Sequence, residues 1–336
     1  MSSFKSTLLF VRALLVLIFL MAAIFLVILA LLASKPFLSR TAFDKFAQKM
    51  QNNYLLVFTW CIEAPAGRKV YFYGDVIPEK ESALVVPNHA AEHGDWAPLY
   101  SLAARSNGLG GVKTVSKNIL KFVPFFGWGM WLMQWPFLKR TWTSDKDYLH
   151  KRLDVYRKSG LPMLLWLFAE GTRWTRAKHA KAVAFARGRQ QYEPVHTLVP
   201  KPTGFIALVK GLDGIVTHLH DVTLAYTGYP EHPDSKGPGF VQIFSPILTA
   251  GDCSFHVHVR RIPIKDLPRH DDAELKKYLF DMYEKKDELL KAFKTTGTFP
   301  GSTPREVPLS PEAGVQLMRH AVALLAVVVL VTLPLW

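Results

Sequence analysis

Short, unbroken apolar runs alternate along this chain with longer stretches of helical periodicity, and the alternation predicts strands and helices in turn. "KVYFYG" (69–74) and "ALVVP" (83–87) read as strands. "SDKDYLHKRLDVYRKSG" (144–160) reads as a helix, with Ser144 as N-cap, Asp147 as its capping-box partner and Gly160 at the stop. "PMLLWLF" (162–168) has the continuous apolar character of a fully buried strand. "HDVTLAYTG" (220–228) and "FHVHVRRIPI" (255–264) are further strands with partial alternation. Residues 271–297 form a long amphipathic helix, with Leu275, Tyr278, Leu279, Met282, Leu289, Leu290 and Phe293 on or near one face. Helices crossing between buried strands predict an α/β fold, a sheet covered by helices on both faces.

The two ends of the chain break this pattern. Ala13 to Ala33 is an uncharged run of 21 residues. At about 1.5 Å per residue it is long enough to cross a bilayer core of roughly 30 Å. A signal peptide is the rival reading, because Lys5 and Arg12 precede the run, but signal h-regions are shorter, about 7–15 residues. A retained N-terminal membrane helix is therefore expected. Lys35, Arg40, Lys45 and Lys49 follow it and place the main domain in the cytosol by the positive-inside bias. A second apolar run of 16 residues, Ala321 to Trp336, closes the chain and is a candidate second anchor or a hydrophobic hairpin tail. The expected division is a membrane anchor and basic flank over 1–50, an α/β domain over 51–296, a Pro-rich linker over 297–314 and a C-terminal hydrophobic segment over 315–336.

Composition sharpens the picture in two places. The only cysteines, Cys61 and Cys253, cannot build a disulfide framework. The net charge of +14 is concentrated: residues 101–200 hold 17 Lys/Arg against 5 Asp/Glu. That excess points to an anionic ligand or surface, whether nucleic acid, phosphate groups or anionic lipid.

Four stretches could carry chemistry. "VVPNHAAEHGDWAPLY" (85–100) brings Asn88 and His89 out at a strand exit, where α/β enzymes bind ligands, with Asp95 six positions on. A histidine oriented by a carboxylate is the minimal general base. "KTVSKNILKFVPFFGWGMWLMQWPFLKRTW" sets Lys117, Lys121, Lys139 and Arg140 around the uncharged run Phe122 to Leu138. Pro124, Gly127 and Gly129 argue against one spanning helix, leaving a buried hairpin or an amphipathic platform at a membrane interface. In "LFAEGTRWTRAK" a buried strand breaks at Glu170-Gly171-Thr172-Arg173, where Gly171 permits a sharp turn and Arg173 offers a planar fork suited to phosphate. In "TLVPKPTGF" Lys201 and Gly204 sit in a Pro-flanked strand exit. His218/His220 and His256/His258 have i, i+2 spacing but lack a third ligand at suitable spacing, so no metal site is expected.

Taken in order, "VPNH…DW", "K…KFVPFFGW…FLKR", "FAEGTR" and "VPKPTGF…DVTLAY" resemble the motifs of the lysophosphatidic acid acyltransferases (1-acyl-sn-glycerol-3-phosphate acyltransferases), in particular the plant and animal membrane-bound enzymes. The resemblance runs from about Val85 to Tyr226 and resumes weakly in "YEKKDELLKAFKTTGTFPG". It implies a glycerolipid acyltransferase-like fold and acyl-CoA-dependent transfer to the sn-2 hydroxyl of lysophosphatidic acid, giving phosphatidic acid. It further implies His89 as general base oriented by Asp95, and Arg140, Arg173 and Lys201 holding the acceptor phosphate, with Glu170, Gly171 and Thr172 shaping that site. Lys117 and Lys121 are left to CoA or the membrane surface. Acyl-CoA is a substrate and no cofactor is implied. The expected partners are acyl-CoA, a lysophospholipid and the bilayer, with no nucleic acid, and the expected location is the endoplasmic reticulum membrane. The alternatives are another lysophospholipid acceptor (lysophosphatidylinositol or lysocardiolipin) and an inactive lipid- or CoA-binding relative.

Two departures from the family pattern matter. Lys201 stands where the family usually has Arg, which turns a bidentate contact into a point charge. Five residues, Ala90 to Gly94, separate His89 from Asp95 where the family has four. In regular helix the extra residue would rotate the carboxylate by about 100°. A loop must absorb it, Gly94 being the natural place, or else Glu92 replaces Asp95 as the partner of His89.

Overall fold

In the computed structural model the short apolar runs become the middle of a seven-stranded sheet. The structure describes residues 3–64, 68–91, 94–229, 235–239, 242–243, 253–312, 314–316 and 318–319. Strand β2 (Ala83–Pro87) is buried at every position, as a run covered on both faces must be. It lies between β6 (Leu164–Trp166) and β7 (His218–Thr227), parallel to both. β3 (Val112–Thr114) extends the parallel set beyond β6. On the other side β8 (Ser254–Pro263) pairs antiparallel with β7 and parallel with β1 (Lys69–Gly74). A two-residue β9 (Arg305–Glu306) completes the order β3-β6-β2-β7-β8-β1-β9, and β4 (Ser116–Lys117) pairs with β5 (Phe137–Leu138) in a separate two-stranded sheet. Because β2, β6 and β7 run the same way, the loops leaving them gather at one edge of the sheet.

Alternation across the strands fills two helical layers. Val85, Trp166, Val222 and Leu224 pack with α2 (Arg40–Glu63) and α3 (Trp96–Arg105). Leu84, Val86, Leu165 and Leu219 pack with α5 (Trp142–Ser159), α7 (Pro202–Gly211) and α8 (Asp272–Thr296). This is the expected α/β sheet covered on both faces. The remaining helices are α1 (Ser3–Ser34), α4 (Phe126–Leu132) and α6 (Arg176–Arg187). α1 turns Leu20, Ala23, Ile24, Val27 and Leu31 inward and leaves Leu14, Leu15, Ile18, Phe25, Leu29 and Leu32 exposed. Within it, Leu14–Ser34 is long and apolar enough to cross a membrane. Covering each exposed large side chain would contribute about 1.5–3 kcal/mol, which supports membrane association of this helix.

Several boundaries differ from the sequence reading. α5 begins at Trp142, two residues before the expected cap Ser144. Its first turn is held instead by Asp145, whose carboxylate accepts the backbone N–H groups of Lys139 (2.9 Å) and Thr141 (3.1 Å). Gly160 does end the helix, in the left-handed conformation. β6 is only the middle of the apolar run 162–168, since the residues after Trp166 leave the sheet to build a turn. The division at 50/51 falls inside α2, and the Pro-rich stretch supplies β9. The apolar run Ala321 to Trp336 lies outside the described residues.

One buried ion pair fixes the end of the central strand. Asp221, in the middle of β7, is paired with both Lys286 of α8 and Arg260 of β8. The fully buried Lys286 also donates to the carbonyls of Val86 (3.0 Å) and Val222 (2.6 Å), and Tyr283 donates to that of Pro87 (3.2 Å). α8 thereby holds the last two carbonyls of β2, just ahead of His89. Lys286→Met leaves a buried carboxylate short of its partner and is expected to cost roughly 3–5 kcal/mol, measured by unfolding of the detergent-solubilised protein. Pairing it with Asp221→Leu is expected to recover part of that loss. Unchanged stability in Lys286→Met would show that the pair does not anchor the sheet.

Candidate active site

The backbone leaves the sheet at Asn88 because its side chain takes over the ladder. The Asn88 amide donates to the Leu224 carbonyl (3.1 Å) and accepts the Leu224 N–H (2.7 Å), as a strand backbone would. The main chain is free to turn, and His89 projects from the edge. The His89 N–H is received by Glu170 Oε1 (2.8 Å), and its carbonyl accepts the N–H of Trp174 (2.8 Å). The imidazole packs on Phe168, ring centroids 4.4 Å apart.

His89 and Asp95 meet despite the longer gap: Nδ1 lies 2.6 Å from Asp95 Oδ2. The side chain of Asp95 is almost fully buried while that of His89 is 25% exposed, so the ring is the accessible member. Asp95 is fixed from two further directions. Ala91 donates its N–H to both carboxylate oxygens (3.0 and 3.1 Å), and the Tyr226 hydroxyl donates to Oδ1 (2.5 Å). Burial and the Asp95 charge hold the Tyr226 hydroxyl well above its usual range, so it remains a donor. The described residues between His89 and Asp95 dock on 235–239, with an Ala91–Gly237 bridge and a Lys236 N–H bond to the Ala90 carbonyl. Gly94 allows that docking: a Cβ there would stand 2.5 Å from the Pro238 carbonyl oxygen. Glu92, the rival partner, lies outside the described residues.

Glu170 ties this loop to the next two. Its second oxygen accepts the Leu198 N–H (3.2 Å), and Lys201 donates its N–H to the Ala169 carbonyl (2.7 Å). Lys201 does not stand at a strand exit as expected: no strand directly precedes it among the described residues, and it caps α7, which opens at Pro202 and contains Gly204. Burial pushes the Glu170 carboxyl up to about 8; the two backbone donors oppose that shift and the Asp95 charge adds to it. Gly171 has φ of +69°, and the Lys201 side chain lies across it; a Cβ would come within 3.0 Å of Lys201 Cδ. Thr172 accepts a hydrogen bond from the ammonium of Lys178, at 2.7 Å, in the first turn of α6.

Lys178 lies within electrostatic reach of three other cations. Burial and the positive charges of Arg173, Lys117 and Arg140 all pull its pKa down. Arg140 sits in a left-handed backbone conformation, φ +69°, bracketed by the two N–H groups that Asp145 holds. Such a conformation is costly for a non-glycine residue and is retained here by Asp145. Lys121 is elsewhere, 4.8 Å over the Phe122 ring. It borders an apolar groove lined by Ile28, Leu32, Trp128 and Trp131, and Ile119, Phe122, Trp128 and Trp131 are exposed around it. The aromatic stretch thus forms an apolar platform beside α1 rather than a buried hairpin. The paired histidines go to other uses: His218 and His220 share Glu81, while His256 bonds Tyr73 and Thr227.

The sequence reading missed Tyr226, Lys178 and Asp145. Only Tyr226 left a signal, because period two in "DVTLAY" puts Val222, Leu224 and Tyr226 on one face of the strand beside β2.

The Acyltransferase family matches residues 69–222, from β1 to the middle of β7, and the Acyltransferase C-terminus family matches 247–330. The 1-acyl-sn-glycerol-3-phosphate acyltransferase 2 of Brassica oleracea is 32% identical over 275 residues, covering 80% of this chain and 67% of its own. The 1-acyl-sn-glycerol-3-phosphate acyltransferase delta of Homo sapiens is 32% identical over 232 residues, covering 69% of this chain and 58% of its own. The matched span takes in the strand exit at His89, the Glu170 turn and the Arg140 turn, and on that basis the chain belongs to the 1-acyl-sn-glycerol-3-phosphate acyltransferase family.

Proposed function

We propose that the protein transfers an acyl group from acyl-CoA to the sn-2 hydroxyl of lysophosphatidic acid, with His89 as the general base. The observation that carries this reading is the His89–Asp95 contact at 2.6 Å beside a cluster of cations. Asp95 engages Nδ1 and so leaves Nε2 for the acceptor hydroxyl. As that oxygen attacks the thioester carbonyl, Nε2 takes its proton and the Asp95 carboxylate stabilises the imidazolium. Collapse of the tetrahedral intermediate breaks the carbon–sulfur bond, and the imidazolium returns the proton to the departing CoA thiolate. Ala91 and Tyr226 keep the carboxylate from rotating away. Arg140, Arg173, Lys178 and Lys117 suit the dianion of a phosphomonoester better than the single charge of a phosphodiester, which favours lysophosphatidic acid over lysophosphatidylinositol or lysocardiolipin. Lys201 reaches the same turn through Gly171. An inactive relative would have no need to preserve the dyad, the Tyr226 bond and the strained Arg140 together.

The acceptor and product are bilayer lipids, which fits an apolar α1 and the platform around Phe122, Trp128 and Trp131. The basic residues after α1 favour a catalytic domain on the cytosolic side, and we propose the endoplasmic reticulum as its membrane. Purified protein given acyl-CoA and a panel of lysolipids is expected to yield phosphatidic acid, read by mass spectrometry. Product from another lysolipid alone would overturn the head-group assignment.

His89→Ala is expected to lower turnover by at least ~10²–10⁴-fold at matched protein level. Asp95→Asn should cost orders of magnitude and Glu92→Gln little; the reverse ranking would hand the role to Glu92. Tyr226→Phe removes one charge-assisted bond to Asp95 and is expected to reduce kcat about ten-fold with KM values unchanged. For Arg140→Ala and Arg173→Ala, steady-state kinetics should show the KM for the acceptor rising about ten-fold or more while that for acyl-CoA holds. A rise confined to acyl-CoA would reassign these arginines to the donor.

A further inference from the structure

With Lys117 grouped with the acceptor cations and Lys121 over Phe122, the nucleotide of acyl-CoA has no place in the site described so far. The opposite helical layer offers one. α5 and α7 each return from the catalytic edge to the start of the next strand, and a groove of about 600 Å³ lies between them. Trp142, Lys146 and His150 line it at i, i+4 and i+8 of α5; Thr203, Ile206 and Lys210 line it from α7. Trp142 follows Arg140 by two residues and Thr203 follows Lys201 by two, so the upper end of the groove adjoins the cations at the mouth of the site. From Thr203 to Lys210 it runs roughly 10 Å along the helix.

The lining has a specific chemistry. α5 spends its apolar residues Leu149, Leu153 and Tyr156 on the core, so Trp142 is not needed there and stays 42% exposed. An exposed indole beside cations provides a stacking surface and counter-charges for a phosphorylated base. Lys146 and His150 make no ion pair among the described residues, and at the foot of the groove Lys210 is paired with Asp272, which opens α8. The volume is within the range of small-ligand sites, about 300–1,000 Å³.

We infer that this groove binds the 3′-phosphoadenosine diphosphate portion of acyl-CoA, with adenine on Trp142 and phosphates on Lys146 and His150. The pantetheine arm then passes Arg140 and Lys201 to bring the thioester to His89. The inference rests on acyl-CoA being the donor. The test compares acyl-CoA with acyl-pantetheine, the same thioester without its nucleotide, using full-length protein in detergent micelles. Wild type is expected to show a lower KM for acyl-CoA. In Trp142→Ala combined with Lys146→Glu, that KM should rise about ten-fold or more while acyl-pantetheine kinetics hold, which also shows that the variant is folded. An unchanged acyl-CoA KM in the variant, an equal rise for both donors, or equal KM values for the two donors in wild type would each overturn the groove assignment. Turnover by wild type with another acyl donor but not with acyl-CoA would overturn the donor reading, and the groove with it. Adenosine 3′,5′-bisphosphate is also expected to quench the tryptophan fluorescence of wild type and to leave that of Trp142→Phe unchanged. Equal quenching in both would put the nucleotide elsewhere.

Discussion

The candidate site depends on a carboxylate that touches no substrate in the proposed reaction. Glu170 is buried at the edge of the sheet, receiving the His89 N–H on one oxygen and the Leu198 N–H on the other. Two chain segments leave the sheet at this edge and a third, 197–201, runs past them into α7; the Trp174 N–H on the His89 carbonyl and the Lys201 N–H on the Ala169 carbonyl tie them as well. A buried carboxylate is costly unless its oxygens are satisfied, so the three segments are held at fixed separations by the need to satisfy it. Glu170 and these two backbone bonds together set the position of His89 relative to Lys201. The raised pKa of Glu170 is the electrostatic trace of the same burial.

The cations present the opposite problem. Lys178 is pulled below the ordinary lysine range by burial and, beyond that, by the positive charges of Arg173, Lys117 and Arg140. The protein holds this unfavourable arrangement with local devices. Asp145 clamps the turn that carries Arg140, Thr172 receives the Lys178 ammonium, and Gly171 lets Lys201 lie flat across the turn. A site preorganised in this way gains most from a ligand of high negative charge, because the binding of such an anion relieves repulsion as well as making bonds.

What could be read in advance follows from the range of the interactions involved. β1, β2 and the long α8 were legible because their patterns are local: continuous apolar runs, and an apolar stripe at helical spacing from Leu275 to Phe293. The order of the four motifs carried His89, the Glu170 turn and Lys201 into view, and the sheet brings them to one edge. The start of α5 was misplaced because Ser144 looks like a cap in isolation. The group that decides it, Asp145, acts backwards on Lys139 and Thr141 to hold a left-handed Arg140, and no propensity argument expects that conformation. Lys178 was invisible for a related reason: a lysine in a first helical turn is ordinary, and only the fold shows that three other cations lie within its electrostatic reach.

The gap between His89 and Asp95 shows how a motif can change length and keep its geometry. Helical spacing would have carried the carboxylate around the axis with the extra residue, but the described residues between them, Ala90, Ala91 and Gly94, are not helical; α3 begins only at Trp96, with Asp95 at its cap. The loop is instead referenced to the segment 235–239 through Ala91 and Gly94, and Asp95 reaches back to take the Ala91 N–H. An inserted residue displaces a loop only as far as its ends are free to move, and here both ends are fixed. His89 is fixed by Glu170 and Trp174, and Asp95 by Ala91 and Tyr226. These anchors, and not the spacing along the chain, keep imidazole and carboxylate 2.6 Å apart.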